Sequence, residues 1–208
     1  MTIKLYRGDL PDDFDWSTAR GGCVAVDSET LGLNPVRDRL CVVQLSLGHG
    51  DAHLVQFTAG AYAAPRLKAL LADPGVTKLF HFARFDVAVI RAYLGVDTAP
   101  LYCTKIASKL TRTYTDRHGL KDLVREALGV DLSKQQQSSD WGASELSDAQ
   151  KAYAAADVLY LHDAKEWLDA RLEREGRGEI AQACFDFLPT RAQLDLLGWG
   201  DSDIFAHS

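Results

Sequence analysis

Three short apolar runs in the first sixty residues, each closed by a turn, commit this chain to a β-sheet before any helix forms. Cys23-Val-Ala-Val-Asp27, Leu40-Cys-Val-Val-Gln-Leu-Ser-Leu47 and Ala52-His-Leu-Val-Gln-Phe57 are separated by the Gly- and Pro-containing loops LGLNP and GHGD. Links that short join adjacent antiparallel strands and predict a meander. The periodicity then changes. Pro65 to Ala72 reads as a short helix and Val76 to Phe82 as a fourth strand. Phe85 to Leu94 reads as a helix with apolar residues at Phe85, Val89, Ala92 and Tyr93, ended by Gly95. Leu101-Tyr-Cys103 supplies a fifth strand. Helices are expected over 105–111, 120–128, 148–175 and 179–197, the last with a break near Pro189. Strands interleaved with helices, followed by a helical second half, specify an α/β domain whose mixed sheet is covered on both faces.

Composition narrows the partners. The chain has 208 residues and is 47% hydrophobic, which fits one domain with a single core. No stretch reaches the ~20 apolar residues that cross a bilayer, and the start MTIKLYRGDLPDDFDW is not a signal peptide, so a cytoplasmic protein without a membrane partner is expected. Cys23, Cys41, Cys103 and Cys184 form no C-x-x-C pair and read as free thiols. The net charge of −6 argues against coating nucleic acid electrostatically. Between Thr104 and Lys134, however, seven basic residues face four acidic ones, a local +3 that leaves −9 elsewhere. Lys105, Lys109, Arg112, Arg117 and Lys121 are therefore candidate phosphate contacts, against the alternative of a solvated helical surface.

The chemistry concentrates in carboxylates. Asp27 and Glu29 end an apolar strand, and alternation puts residues i and i+2 on one face. Two buried like charges that close repel, and a divalent cation with hard-oxygen preference, Mg²⁺ or Mn²⁺, is the usual neutraliser. Asp86, in KLFHFARFDVAVI, falls in the first turn of a helix. Tyr153 and Asp157, in KAYAAADVLYLHD, are spaced i, i+4 and share a helical face, with Ala154, Ala155 and Ala156 allowing close approach to the sheet. The S-D-A-Q start at Ser147 is a capping box that fixes the phase of that helix. Taken singly, each piece has a bland explanation as strand end, helix start or core helix. Together, four carboxylates on three elements suit two cations ~3.5–4 Å apart, one acidifying a water and the other stabilising a leaving oxygen.

These motifs in order resemble the DEDD exonucleases, and within them the ribonuclease D-like branch: DSE (Asp27, Glu29) trailed by TLGLNPVRDRLCVVQLSLG, HFARFD (Asp86), the run KQQQSSDW at 134–141, and YAAAD (Tyr153, Asp157). The resemblance covers roughly 20–165. It implies a ribonuclease H-like fold with a mixed five-stranded sheet, and a single 3′→5′ exonuclease domain over 1–208 with its core at about 20–165 and C-terminal helices at 166–198. It also implies two divalent cations held by Asp27, Glu29, Asp86 and Asp157. Histidine-type members carry their histidine where this chain has Ala152, so Tyr153 marks the tyrosine type. Thr30, Leu31, His81, Phe85, Lys105 and Gln136 are the candidate substrate contacts. Ser28 replaces the commoner threonine, a change expected to be harmless because its side chain points away from the two acids. No additional helical nucleic-acid-binding domain is expected, which sets the chain apart from ribonuclease D proper.

The implied reaction releases nucleoside 5′-monophosphates from a single-stranded RNA 3′ end. A DNA exonuclease using the same site and an inactive ribonuclease H-like RNA-binding module are the alternatives, and the sequence leaves oligomeric state open.

Overall fold

The computed structural model describes residues 2–133 and 135–207. Six strands, β1 (Ile3–Arg7), β2 (Cys23–Thr30), β3 (Leu40–Ser46), β4 (Ala52–Gln56), β5 (Thr77–Phe80) and β6 (Leu101–Cys103), form one sheet in the order β1-β4-β3-β2-β5-β6. The expected meander is its centre, because β2, β3 and β4 pair antiparallel while β1, β5 and β6 join in parallel. Sequence reasoning expected five strands. The sixth, β1, is a half-exposed edge strand whose IKLYR mixes charge with apolar residues and so lacks the continuous apolar run of its neighbours.

The β3 and β4 strands are buried along their whole length. Helix α5 (Asp148–Leu159) packs across β1 to β4, whereas α2 (Ala83–Leu94) contacts β2, β3, β5 and β6. Helices α1 (Pro65–Ala72), α3 (Thr104–Thr111), α4 (Leu120–Leu128), α6 (Leu161–Arg174) and α7 (Gly178–Leu196) complete the covering. The helix expected over 148–175 is two helices, parted at Tyr160. Leu161 is fully buried and His162 Nε2 hydrogen-bonds the Cys23 carbonyl oxygen at 2.9 Å, so α6 is anchored at the start of β2 and cannot continue α5. The break expected at Pro189 is absent. Phe185, Leu188 and Ala192 are buried in succession, and packing against α2 carries α7 through the proline. Arg84 on α2 fixes that contact with a two-pronged pair to Asp195, at 2.6 and 2.7 Å.

Two local devices aim the functional side chains. The β2–β3 register slips by one between Glu29 and Thr30, a bulge that turns the chain away from the sheet just after the two acids. At the other, Phe82 adopts φ 72°, a conformation costly for an aromatic residue, and makes the sharp turn from β5 into α2 that leaves Asp86 in its first turn. Among the described residues no helix is long and apolar enough to cross a membrane.

Candidate active site

A cleft of about 580 Å³ opens where β2 ends, and Asp27, Glu29, Tyr153 and Asp157 line it. Each arrives by a separate device. Alternation on β2 presents Asp27 and Glu29 on one face. The capping box forms as the sequence predicts: Gln150 N–H donates to Ser147 Oγ at 3.2 Å and Ser147 N–H to Gln150 Oε1 at 2.9 Å. Ala154 and Ala155 are fully buried, so α5 lies close on the sheet with Tyr153 and Asp157 toward the acids. One carboxylate oxygen from each of Asp27, Glu29 and Asp157 lies within 4.8 Å of the others.

Asp86 stands beside this set rather than within it. It is buried and accepts a 2.6 Å hydrogen bond from Ser28 Oγ. Ser28, expected to be harmless, lines the same cleft and is not idle there, since its hydroxyl ties β2 to the start of α2. Threonine would carry the same hydroxyl.

All four acids are held above the usual carboxylate range, each first by burial. Burial, then the charges of Asp86, Asp157 and Glu29, push Asp27 well above the usual carboxylate range. Burial, then Asp157 and Asp86, lift Glu29 to about 9. Asp86 and Asp157 are raised chiefly by burial, opposed by Ser28 at the former and Tyr153 at the latter. The Tyr153 phenol is pushed up too, by burial and then by Asp157, Glu29 and Asp27. Clustered acids that resist ionisation together are a donor set lacking positive charge, and hard carboxylate oxygens suit a divalent cation of the Mg²⁺ or Mn²⁺ kind.

Of the candidate substrate contacts, Thr30, Leu31, His81, Phe85 and Lys105 line the cleft. Gln136 does not; its neighbour Gln137 does, together with Ser138, Ser139 and Trp141. Lys134, in the same run, lies outside the described residues. His81 Nδ1 meets Thr104 Oγ1 at 2.9 Å, and burial holds its pKa down to about 3, so the ring is neutral. The basic segment divides. Lys105 and Lys121 line the cleft, and Lys109 lines a smaller neighbouring pocket. Arg112 is a correction: it is buried, its Nη2 bonds Glu126 at 2.5 Å and its Nη1 the Arg117 carbonyl at 2.8 Å, so it braces the turn before α4. Arg117 is exposed and contributes that carbonyl.

Sequence reasoning missed Gln44 and Trp141. Gln44 is fully buried and donates to Asp27 Oδ2 at 2.7 Å; the only signal was a long polar side chain in a strand otherwise apolar but for Ser46. Trp141 is buried beside Tyr153, ring centroids 6.1 Å apart. Gln150 ties that loop down as well, its Nε2 donating to the Asp140 carbonyl at 3.0 Å.

A mixed sheet with an antiparallel meander at its centre and acids at the end of its central strand is the architecture of a ribonuclease H-like nuclease. A 3′–5′ exonuclease family model matches residues 9–173. Ribonuclease D of Acidiphilium cryptum is 40% identical over 154 residues, 74% of this chain and 39% of that protein, so the chain spans about two fifths of such curated relatives. The structure of Escherichia coli RNase D, an exoribonuclease, is 28% identical with a TM-score of 0.76, covering 93% of this chain and 51% of that one. NrnC of Brucella melitensis is 59% identical with a TM-score of 0.94 over 100% of both chains, in a structure described as bound to pGG; a second of its structures is described with bound Mg²⁺. The chain belongs to the 3′–5′ exonuclease family, in its ribonuclease D-like branch.

Proposed function

We propose that the protein is a 3′→5′ exoribonuclease that removes nucleoside 5′-monophosphates from single-stranded RNA ends with two divalent cations. The observation that carries this reading is the convergence of Asp27, Glu29 and Asp157 on the floor of a cleft whose wall includes Tyr153. Those three acids would hold one cation. Asp86, fixed by the Ser28 hydroxyl beside this set, would join Asp27 in holding the second. Bound there, the cations supply Lewis acidity and neutralise the acids and the phosphate. The chain's own residues do the rest. Tyr153 orients the attacking water in line with the scissile phosphorus, Lys105 and Lys121 hold phosphate oxygens, and Thr30, Leu31, His81 and Phe85 surround the terminal nucleotide. Mg²⁺ and a short RNA are favoured by the Mg²⁺ and pGG described in the NrnC structures, which makes pGG the shortest substrate to try.

The test incubates purified protein with 5′-labelled RNA and DNA of one sequence, with Mg²⁺, with Mn²⁺ and with EDTA. A descending ladder from RNA, blocked by a 3′-phosphate and absent in EDTA, is expected. Undiminished cleavage in EDTA would sink the cation mechanism, and equal digestion of DNA would favour the DNA exonuclease.

The basic wall gives a second expectation. Lys105 is held in place, its Nζ 4.3 Å from the Phe82 ring centroid, a cation–π contact beside the cleft. Lys105→Ala and Lys121→Ala should each flatten the salt dependence of single-strand binding by about 0.7 in log–log slope, the value of one phosphate contact. Arg117→Ala, outside the cleft, should leave the slope unchanged; a slope that also survives loss of both lysines would make them solvated surface.

A further inference from the structure

Gln44 lies in the middle of β3, directly opposite Asp27 in the antiparallel register, while Glu29 pairs with Val42 two positions along. Directly opposite residues share a face, and the diagonal neighbour remains within reach of a long side chain. The amide therefore sits on the same side of the sheet as both acids, beneath α5. Its Nε2 donates to Asp27 Oδ2 at 2.7 Å. The residue is fully buried, and its Oε1 has no hydrogen-bond partner among the described residues. An apolar side chain would fill this strand position without leaving a buried acceptor unpaired, and such groups call for an explanation.

The chemistry of the neighbours supplies one. A lysine or arginine at 44 would neutralise Asp27 and compete with a cation for it. A carboxylate would add a fifth negative charge, and an aliphatic residue would leave the Asp27 oxygen free to rotate. A neutral amide is the side chain that fixes the carboxylate's direction while leaving its charge available.

We propose that Gln44 is a positioning residue for cation binding, an amide on the strand next to β2 that orients Asp27 as a ligand. This rests on the cation-dependent reading given above. It predicts that the ligand set loses affinity, and not merely turnover, when the amide is removed. Partners that orient metal ligands from behind typically account for 10–100-fold in affinity.

The test is calorimetric titration of the EDTA-treated, dialysed full chain with Mn²⁺ alone, without nucleic acid, for the unsubstituted protein, Gln44→Leu and Asp27→Asn. Gln44→Leu should keep its melting temperature in EDTA, because the position is fully buried in an apolar strand, and should bind Mn²⁺ roughly 10–100-fold more weakly. If Gln44→Leu proves unstable, Gln44→Met, unbranched and of similar reach, is judged by the same criterion. Mn²⁺ affinity equal to that of the unsubstituted chain would overturn the role of Gln44 while leaving the cation site standing. No Mn²⁺ uptake by the unsubstituted chain, or uptake that Asp27→Asn leaves unchanged, would overturn both.

Discussion

Asp27→Ala is expected to abolish hydrolysis, with a fall of roughly 10⁴–10⁶-fold in kcat, the scale seen when one member of a concerted catalytic set is deleted. The same substitution should leave the fold intact, and in EDTA should stabilise it. Asp27 is pressed by Asp86, Asp157 and Glu29 as well as by burial, so removing it takes away repulsion that only a cation otherwise relieves. The pH dependence follows with a definite sign. Glu29 titrates near 9 in the folded protein, against ~4.3 for a free glutamate, so across that window the folded state binds more protons than the unfolded one. Stability in EDTA should therefore fall as pH rises from about 5 to 9, and the fall should be shallower in Asp27→Ala. Melting curves in EDTA at the two ends of the range, beside a single-turnover assay, check both halves. A lower melting temperature for Asp27→Ala than for the unsubstituted chain at pH 8 would mark the acid as structural.

Tyr153→Phe is expected to lower kcat by roughly 10²–10⁴-fold, the span of a positioned acid–base or orienting group, with little change in RNA affinity or cation requirement. Burial and the charges of Asp157, Glu29 and Asp27 hold the phenol above even its ordinary pKa, so it stays protonated and cannot act as the base. What it offers is a hydroxyl on a ring packed beside Trp141, set one helical turn before Asp157. Tyr153→His should not rescue turnover, because the histidine of the other subtype belongs at position 152, about 100° around the helix. Single-turnover rates at saturating RNA separate this from a packing role. Near-unsubstituted turnover in Tyr153→Phe would leave catalysis to the carboxylates.

The parts of the fold legible in the sequence were those with one dominant signal. Continuous apolar runs marked β2, β3 and β4, and Ser147 with Gln150 fixed the phase of α5. The acids were legible as a set because strand alternation and the i, i+4 rule each constrain direction, so Asp27 with Glu29, and Tyr153 with Asp157, were paired before their elements were placed. The failures share a cause: they depended on what a residue meets across the chain. Strand β1 finds its partner, β4, some fifty residues on. Arg112 looked like a free cation until Glu126 closed on it. Gln44 is, with Ser46, one of two polar letters in a mostly apolar strand, and its meaning depends on the register that sets it opposite Asp27. Ser28 was judged by where it does not point, whereas Asp86 lies where it does.

Gln150 joins two things that could have been separate. The side chain that closes the first turn of α5 also grips the carbonyl of Asp140, one residue before the tryptophan that backs Tyr153. On the far side of the same loop, Gln56 on β4 donates to the Ala143 carbonyl at 2.8 Å, and Arg7 on β1 to the Ser144 carbonyl at 2.7 Å. Helix, loop and sheet edge are thereby fastened into one jaw, which bears both the tyrosine and the last acid. Its counterpart across the opening, with Lys105 and Lys121, is tied down separately, by the Arg112 brace and by Thr104, whose hydroxyl donates to the Phe80 carbonyl oxygen at 3.1 Å. The bonds that fix the tyrosine and the last acid therefore do not pass through the basic side of the opening, so a change there can alter the charge of the wall while the spacing of the acids is kept.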